Sequence, residues 1–489
     1  MLLLGNSFCA ANGILLGGVS TGYVPAPYSL GPSPMPTNIF DNLTSSLPNT
    51  ISKITYLQTT ASGYKNFLRP NLLVAALGDA DFTGQMMKIA DLVTENGRTQ
   101  SLTMNVLRSD YMLQDVGGLV RPLQIELNTI ASSFGVLSGR VSQMHSFLHS
   151  NGSNDYQFPS NSACEIIVDG FAAAVMEYGK QQQAVTKAPT TVEYEKVVVM
   201  VIQPGEKNSI DQFGLQFDLF NRHKIRTVRR SMDELTSSLS PALRSALTQD
   251  ESTKKNALIF PDNDNNMVEA AVVYFRAGYA PADYSGEETW LSRLLIEKSN
   301  AIKCPDIFSH LAGTKKIQQV LASEEGKQLK QFCNGEEEFE EVRNIFAGLW
   351  GFSGDENEDK KIIDMALANP GKFVFKPQRE GGGNNLYGND LVNALKTMGG
   401  EERACYILME RIFPPEFTQT LVKGGEVVYD GDCVCELGIF GVSLRCFDND
   451  ENLLPTERRK GFIVRAKMAK TDEGGVAAGY AFLSSPILN

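Results

Sequence analysis

The segment of this chain with the most distinctive chemical pattern spans residues 376–388 and reads KPQREGGGNNLYG. Its consecutive glycines let the backbone approach a ligand closely and turn N–H groups toward an anion. Lys376 can offer a positive charge to a phosphate, and Glu380 can hold a hard cation such as Mg²⁺, which prefers oxygen ligands. The order of residues is not that of a Walker A loop. The flanking charges therefore favour an anion and metal site, whereas a glycine-rich loop alone is also typical of a structural turn.

A second glycine-rich segment, EGGVAAG at 473–479, follows Arg465 and Lys467. On a strand the side chains at i and i+2 share one face, so these two cations would point in the same direction. Two cations beside a loop of small residues suit a site that closes over a carboxylate or a phosphate. A solvated strand end followed by a turn is the alternative.

A third set of polar residues comprises RSDYM at 108–112 together with Glu126, Asn128 and Ser133. Glu126 and Asn128 have strand spacing and can both supply oxygens to one Mg²⁺, although an ordinary polar strand face has the same pattern. His145 and His149 are four residues apart, but no third ligand accompanies them and HExxH is missing. They are therefore predicted to be core or surface histidines.

The elements that must position these residues alternate between strands and helices, which indicates an α/β architecture. Apolar and β-branched runs predict strands that begin at 123 and span 196–202, 270–275, 372–375, 406–409 and 434–447. Residues 289–302 predict a helix. The proline-rich stretch 23–36 is expected to be extended coil on the surface, and the acidic stretch 335–361 a solvated face or loop.

The bulk composition is typical of a soluble globular protein with two or three packed units, because the chain has 489 residues, 42% of them apolar. Acidic residues exceed basic ones by 12, which argues against nucleic acid or an anionic membrane as the main partner. The eight cysteines are dispersed, as expected for a reduced, cytoplasmic protein. No apolar run approaches the roughly 18–20 residues that span a bilayer, and the N-terminus lacks the basic residues of a targeting signal.

Taken together, these segments resemble those of eukaryotic glutathione synthetase. The motifs that carry the resemblance occur in order along most of the chain: RSDYM (108–112), IELNT (125–129), YFRAGY (274–279), KCPDI (303–307), LAGTKK (311–316), KPQREGGGNNLYG (376–388) and ELGIFGV (436–442). The resemblance implies an ATP-grasp fold with an inserted parallel-sheet substrate domain and glycine-rich lid loops. It implies core parts at 1–195 and 313–489, a substrate domain at 196–312, a homodimer, and a shortened N-terminal helix.

The resemblance also implies a role for individual residues. Two Mg²⁺ ions would be held by Glu126, Asn128 and Glu380. ATP would be bound by Glu126, Lys315, Lys376, Gly381, Gly382, Asn385, Tyr387, Met409, Arg411, Glu436, Lys467 and Glu473. The dipeptide and glycine would be bound by Arg108, Ser133, Glu206, Asn208, Gln212, Arg276, Tyr279, Arg465, Val476 and Ala477, with Arg108 and Arg465 catalytic.

Four positions depart from the pattern of the family. Ala131 stands where serine is common, Lys207 where arginine is frequent, Arg411 where lysine is frequent, and Glu473 where aspartate is expected. None removes a charge from the core set, so activity with altered constants is expected.

The implied reaction is ATP-dependent ligation of γ-glutamylcysteine to glycine through an acyl phosphate. Two alternatives stay open: use of β-alanine to give homoglutathione, and a non-catalytic ATP-binding scaffold. The small residues at 476–478 favour glycine, and retention of Glu126, Asn128, Glu380 and Lys376 favours an enzyme.

Overall fold

The computed structural model describes residues 1–18, 21–149, 157–185, 193–239, 256–379, 383–454 and 459–489. Three of the predicted site residues, Glu380, Gly381 and Gly382, lie outside the described residues. Within these ranges, no helix is both long and apolar enough to cross a bilayer.

The strands, in chain order, are β1 (Leu15–Gly18), β2 (Gly22–Pro25), β3 (Tyr28–Ser29), β4 (Ser33–Met35), β5 (Leu102–Val116), β6 (Leu119–Asn128), β7 (Glu195–Val201), β8 (Thr227–Arg230), β9 (Ile259–Pro261), β10 (Met267–Phe275), β11 (Ile302–Cys304), β12 (Leu349–Gly351), β13 (Phe373–Pro377), β14 (Tyr406–Glu410), β15 (Phe417–Lys423), β16 (Glu426–Cys446), β17 (Glu451–Asn452), β18 (Phe462–Met468), β19 (Phe482–Ser484) and β20 (Pro486–Leu488).

The helices, in chain order, are α1 (Leu2–Ala11), α2 (Thr37–Thr44), α3 (Leu47–Thr59), α4 (Ala61–Gly63), α5 (Arg69–Gly78), α6 (Thr83–Asn96), α7 (Gly135–Leu148), α8 (Ala163–Val185), α9 (Ser209–His223), α10 (Met232–Ser238), α11 (Glu287–Lys298), α12 (Ile307–Ala312), α13 (Lys315–Ala322), α14 (Glu336–Arg343), α15 (Glu356–Ala368), α16 (Gly388–Thr397) and α17 (Gly400–Arg403). A π-helical turn, Tyr64–Leu68, joins α4 to α5.

The largest sheet has the strand order β15-β3-β19-β18-β16-β5-β6, with β17 also paired to β16. Side chains alternate between the faces of a strand, and both faces of β16 are covered. Leu437 and Ile439 pack in one core with residues of α3, whereas Phe440 and Leu444 pack in another with residues of α8. Burial on both faces explains why polar side chains at the middle of this sheet are held in fixed positions.

A second sheet has the order β11-β10-β7-β8 in parallel, with β9 antiparallel to β10. The apolar runs of β7 and β10 are buried, as expected for parallel strands with both faces covered. The chain leaves the carboxyl ends of these two strands toward Glu206 and Arg276. Polar residues therefore collect at this edge of the sheet, where ligands of parallel sheets bind.

A third sheet is antiparallel, with the order β12-β14-β13. Phe373 and Phe375 pack against α15 and α16, and Val374 lies on the opposite face with Leu123 of β6. Lys376 has the same parity as Val374, so the alternation of the strand directs it toward the largest sheet.

Two local expectations prove wrong. The stretch 23–36 is not surface coil, because it contains β2, β3 and β4, and Tyr28 and Ser33 are fully buried. Two of its prolines, Pro25 and Pro34, lie in β2 and β4, which belong to two-stranded sheets with open edges, where a missing proline N–H group is tolerated. The helix expected at 289–302 ends at Lys298, and Ile302 begins β11 instead. The acidic stretch forms much of α14 and α15, whose first turns carry carboxylates that suit a helix N-terminus.

His145 is a core residue, in agreement with the sequence. Its Nε2 lies 2.8 Å from the backbone oxygen of Ser29, and its Nδ1 lies 2.7 Å from Oγ of Ser485. A carbonyl oxygen only accepts hydrogen bonds, so Nε2 carries the proton and Nδ1 accepts a hydrogen bond from the hydroxyl group of Ser485. Burial lowers the pKa of His145 to about 4, which keeps the ring neutral.

Replacement of His145 by glutamine is expected to flatten the loss of stability in acid. The unfolded imidazole takes up a proton near its ordinary pKa of about 6.5, whereas the folded ring stays neutral to about 4. Its stabilisation is therefore complete above about 6.5, and on the order of 3 kcal/mol is lost as the pH falls toward 4. Urea unfolding between about pH 7 and pH 4 measures this, and equal slopes for variant and wild type would contradict it.

Candidate active site

A cavity of about 350 Å³ lies where the three sheets meet. Most of the predicted site residues line it: Arg108, Glu126, Asn128, Ser133, Glu206, Asn208, Arg276, Tyr279, Lys315, Lys376, Asn385, Tyr387, Met409, Arg411, Glu436, Arg465, Lys467, Glu473, Val476 and Ala477. Gln212 is fully buried beside the cavity and is not part of its wall.

Arg108 and Arg465 share one buried carboxylate, that of Asp110. Arg108 binds it with two donors, Nε to Oδ1 at 2.7 Å and Nη2 to Oδ2 at 2.8 Å, and its Nη1 donates to the backbone oxygen of Ser133. Arg465 donates from Nη2 to Oδ2 of Asp110 at 2.8 Å. Among the described residues, the buried Nε of Arg465 has no hydrogen-bond acceptor. Buried donors in proteins normally have a partner, so this N–H group beside the cavity is suited to a ligand that supplies a hydrogen-bond acceptor.

Glu436 lies on β16 opposite Arg465 of β18 and joins Arg465 to Lys467. Its carboxylate lies 3.0 Å from Nη2 of Arg465 and 3.2 Å from Nζ of Lys467. Burial raises the pKa of Glu436, but the positive charges of Lys467 and Arg465 outweigh it and hold that pKa below its ordinary value. The wall of the cavity therefore carries fixed charges of both signs.

Glu126 and two lysines form the next part of the wall. Nζ of Lys315 lies 3.6 Å from Oε2 of Glu126, and Nζ of Lys376 donates to the backbone oxygen of Ile125 at 3.0 Å. Burial raises the pKa of Glu126, yet Lys315 and Lys376 lower it to about 2. The carboxylate is thus ionised at neutral pH and flanked by cations suited to phosphate oxygens.

The residues at this position fit Mg²⁺. Nδ2 of Asn128 donates to Asp110 at 3.0 Å and to Glu126 at 3.3 Å, and no described residue donates to its Oδ1. An ionised carboxylate and a free amide oxygen are ligands that Mg²⁺ prefers. No group of three or more His, Cys, Asp or Glu suited to a metal occurs in the described ranges, and Glu380 lies outside them.

The far end of the cavity is lined by Met409, Tyr387 and Arg411. Met409 is buried, and the guanidinium of Arg411 lies 5.7 Å from the ring centre of Tyr387. Arg411 also pairs with the carboxylate of Asp472. An apolar and aromatic surface next to the two lysines is an arrangement that suits a flat base attached to phosphates.

Glu473 connects the two glycine-rich segments. Its carboxylate accepts hydrogen bonds from the backbone N–H groups of Gly383 at 2.9 Å and Asn385 at 3.2 Å. The backbone oxygens of Asp472 and Glu473 accept from Lys467 at 3.0 and 3.3 Å. The segments at 383–388 and 473–479 are therefore held together over the cavity.

The opposite end of the cavity is organised by Asp211, which has no exposed surface. Its carboxylate accepts from the backbone N–H groups of Phe134 and Val136, both at 2.8 Å, and from Nη1 of Arg276 at 3.1 Å. It thereby caps the start of α7 and fixes the loop that carries Ser133. Burial lowers the pKa of Arg276, but nearby groups, Asp211 among them, raise it above its ordinary value, so its charge is retained.

Glu206, Asn208 and Gln212 form a chain of contacts after β7. Glu206 accepts from the backbone N–H of Asn208 at 2.7 Å and from Nε2 of Gln212 at 3.3 Å. Gln212 in turn accepts from Nη2 of Arg229 at 2.6 Å. Neither amide atom of Asn208 has a partner among the described residues, although both are buried. The side-chain amide of Asn208, which lines the cavity, is thus available to bind a ligand.

Tyr279, Val476 and Ala477 also line the cavity. The hydroxyl group of Tyr279 donates to Gln203 at 3.5 Å, Val476 is buried, and Ala477 is exposed. The side chains at 476 and 477 are small, so they leave space in the cavity beside them.

A family model described as the ATP-binding domain of eukaryotic glutathione synthase matches residues 5–488 of the chain. The chain belongs to the eukaryotic glutathione synthase family. It is 38% identical over 418 residues to the glutathione synthetase of Dictyostelium discoideum, covering 83% of this chain and 81% of that protein. It is 36% identical over 467 residues to that of Homo sapiens, covering 94% and 90%. The expectation of an ATP-dependent ligase that makes glutathione is confirmed.

A solved structure of a glutathione synthetase-like effector from Globodera pallida is similar to this chain, with a TM-score of 0.71 and 20% identity. It covers all of this chain and 96% of the effector. At that identity the likeness supports the fold alone, and it confirms the expected mixed α/β architecture.

The four departures from the glutathione synthase pattern have different surroundings. Ala131 lines the cavity with a left-handed φ of 51°, a backbone position that short polar residues tolerate well. Lys207 is exposed and does not line the cavity. Arg411 pairs with Asp472, and Glu473 bonds to Gly383 and Asn385. The structure thus gives each of the two longer side chains a partner.

Sequence reasoning for this glutathione synthase assigned no role to Asp110, Asp211, Asp472 or Arg229. Each of the four contacts a predicted site residue that is distant in the chain. Asp110 also carried a local signal, because it stands two residues from Arg108 and so shares its strand face.

Proposed function

We propose that this chain joins γ-glutamylcysteine to glycine, giving glutathione while ATP is split to ADP and phosphate. The observation that carries the proposal is one continuous cavity. Most of the residues predicted to bind nucleotide, and most of those predicted to bind the dipeptide and glycine, line it.

The two lysines act on the phosphates of ATP, and the two arginines act on the carboxylate that reacts. Lys315 and Lys376 neutralise phosphate oxygens, which favours transfer of the γ-phosphoryl group to the cysteinyl carboxylate and yields an acyl phosphate. Arg108 and Arg465 orient the carboxylate and stabilise charge on its oxygen, because a guanidinium fork matches such a group. The amine of glycine then attacks the acyl carbon, and phosphate leaves.

Glu126 and Asn128 would hold Mg²⁺, with Glu380 as the third predicted ligand. When bound, the ion neutralises charge on the ATP phosphates. The segments joined by Glu473 cover the cavity and exclude water, which otherwise hydrolyses an acyl phosphate.

Two finer expectations accompany this proposal. A homodimer is supported by the exposed apolar side chains of Phe217 and Phe220 on α9 and of Tyr23 and Val24 on β2. Sedimentation velocity of wild type against Phe217→Glu would test it, and a monomeric wild type would refute it.

A cytoplasmic location is supported by the described cysteines, all of which are free, and cell fractionation would test it. The domain boundaries 1–195, 196–312 and 313–489 stay a prediction.

The test of the function is release of ADP by purified protein with Mg-ATP and γ-glutamylcysteine, with glycine compared with β-alanine. Release with glycine alone, with glutathione identified by mass spectrometry, is the expected result. Preference for β-alanine would reassign the acceptor, a change that the family matches do not favour. ATP binding without release in either case would indicate a non-catalytic scaffold.

A further inference from the structure

Asp110 has more hydrogen-bond donors around it than its own strand provides. Arg108 supplies two, and Asn128 on β6 and Arg465 on β18 supply one each, at 2.7 to 3.0 Å. The carboxylate has no exposed surface and is not part of the cavity wall, whereas Arg108, Arg465 and Asn128 all are. Asp110 therefore does not line the cavity, but it touches three residues that do.

Each contact fixes an orientation. Arg465 uses Nη2 alone to reach Asp110 and Glu436, and no described residue accepts from its Nε or Nη1. Because the carboxylate can only accept, Asn128 must direct its NH₂ group to Asp110, which leaves its carbonyl oxygen free. A carboxamide at position 110 would turn its own NH₂ group toward an N–H group of Arg108, Arg465 or Asn128. Two donors would then face each other, and that hydrogen bond would be lost.

The neighbouring strand is built to admit this carboxylate. Gly438 of β16 lies opposite Asp110, and a Cβ there would be 2.5 Å from Oδ1 of Asp110 and 3.0 Å from Cδ of Arg108. Contacts under about 3 Å force the neighbours to shift, and buried atoms on both sides of this sheet leave little room to do so. Cγ2 of Ile463 would lie 2.7 Å from the same carbon, so the glycine is required by close packing against Asp110, Arg108 and Ile463 and not by a turn.

We infer that Asp110, with the space provided by Gly438, is the positioning residue that sets the orientation of Arg108, Arg465 and Asn128 for ligation. This inference rests on the proposed function. It assigns to Asp110 no contact with substrate; its effect is transmitted through the two arginines to the acyl group. Lys315 and Lys376, which face the nucleotide end, have no hydrogen bond to Asp110 among those described.

The test is Asp110→Asn, which keeps size and removes the charge. We expect kcat/KM for γ-glutamylcysteine to fall roughly 10- to 100-fold, the equivalent of one charge-assisted hydrogen bond. Calorimetric affinity for γ-glutamylcysteine should fall as well, and by more than affinity for Mg-ATP, which depends on Asp110 only through the amide of Asn128. The matched control is Asp262→Asn, which removes the charge of a buried carboxylate that is paired with Arg226 and does not line the cavity, and which should leave activity unchanged.

A second variant keeps every charge. Gly438→Ala should displace Asp110 and lower kcat/KM for γ-glutamylcysteine about tenfold with the same split between dipeptide and nucleotide. Its control is Gly441→Ala on the same strand, where the nearest atom to the added carbon is the backbone oxygen of Pro48 at 3.3 Å.

The outcomes separate this inference from the proposed function. A wild-type protein that makes no glutathione refutes the function, yet dipeptide affinity still tests Asp110. Wild-type dipeptide affinity and turnover in both variants would overturn the inference. An equal fall in dipeptide and Mg-ATP affinity, accompanied by a lower melting temperature, would show a merely structural role and would overturn it too.

Discussion

Replacement of Arg465 by alanine is expected to abolish most ligation while ATP still binds. Turnover should fall on the order of 100- to 1000-fold, the effect of removing one donor that stabilises charge in the transition state. Arg465 has 9% of its surface exposed and pairs with Asp110 and Glu436 at 2.8 and 3.0 Å. The nucleotide lysines, Lys315 and Lys376, keep their own contacts, so affinity for Mg-ATP should change by less than about threefold.

The measurements are steady-state turnover and calorimetric binding of Mg-ATP to the same preparation. Loss of Arg465 leaves two buried carboxylates without this partner, so thermal unfolding must confirm that the variant is folded. Arg465→Lys keeps the charge without the fork and should recover only part of the activity. Arg226→Ala, which removes a salt-bridged arginine outside the site, is the control. Normal turnover of Arg465→Ala would refute the assigned role.

Replacement of Lys376 by methionine is expected to weaken the binding of Mg-ATP and to leave the binding of γ-glutamylcysteine unchanged, the opposite of Arg465→Ala. Methionine keeps most of the aliphatic stem, so packing beside Met409 is preserved while the positive charge is lost. Affinity for Mg-ATP should fall roughly 10- to 100-fold, the cost of a lost charge-assisted hydrogen bond. Affinity for γ-glutamylcysteine, measured without nucleotide, should not change.

The control for Lys376→Met is Lys372→Met, because Lys372 is exposed just before the same strand. Unchanged Mg-ATP affinity in Lys376→Met would mean that this lysine does not reach the phosphates. Comparison with Arg465→Ala then gives two variants that each damage one end of the cavity.

Much of the fold was predictable because local patterns are strong where strands are buried. The runs near 196–202 and 270–275 are β7 and β10 within a few residues, since parallel strands with both faces covered are continuously apolar. The prediction of surface coil at 23–36 was wrong. Its prolines indicate coil, whereas β3 and β4 gain stability by pairing with β15, β19 and β20 far along the chain. Propensity carries no information about such partners.

The candidate site likewise has features that the sequence predicts and features that only the tertiary structure decides. The sequence by itself determined the chemistry available: glycine-rich segments, cations at strand ends, and oxygen ligands spaced for one strand face. Only the tertiary structure decided which groups meet. Asp110 and Arg465 are 355 residues apart in the chain, and they touch because β5 and β18 both pair with β16. The period of a strand fixes the face of each side chain, but not the strand that lies beside it. The contacts that orient the arginines, and the need for glycine at 438, therefore arise from strand pairing.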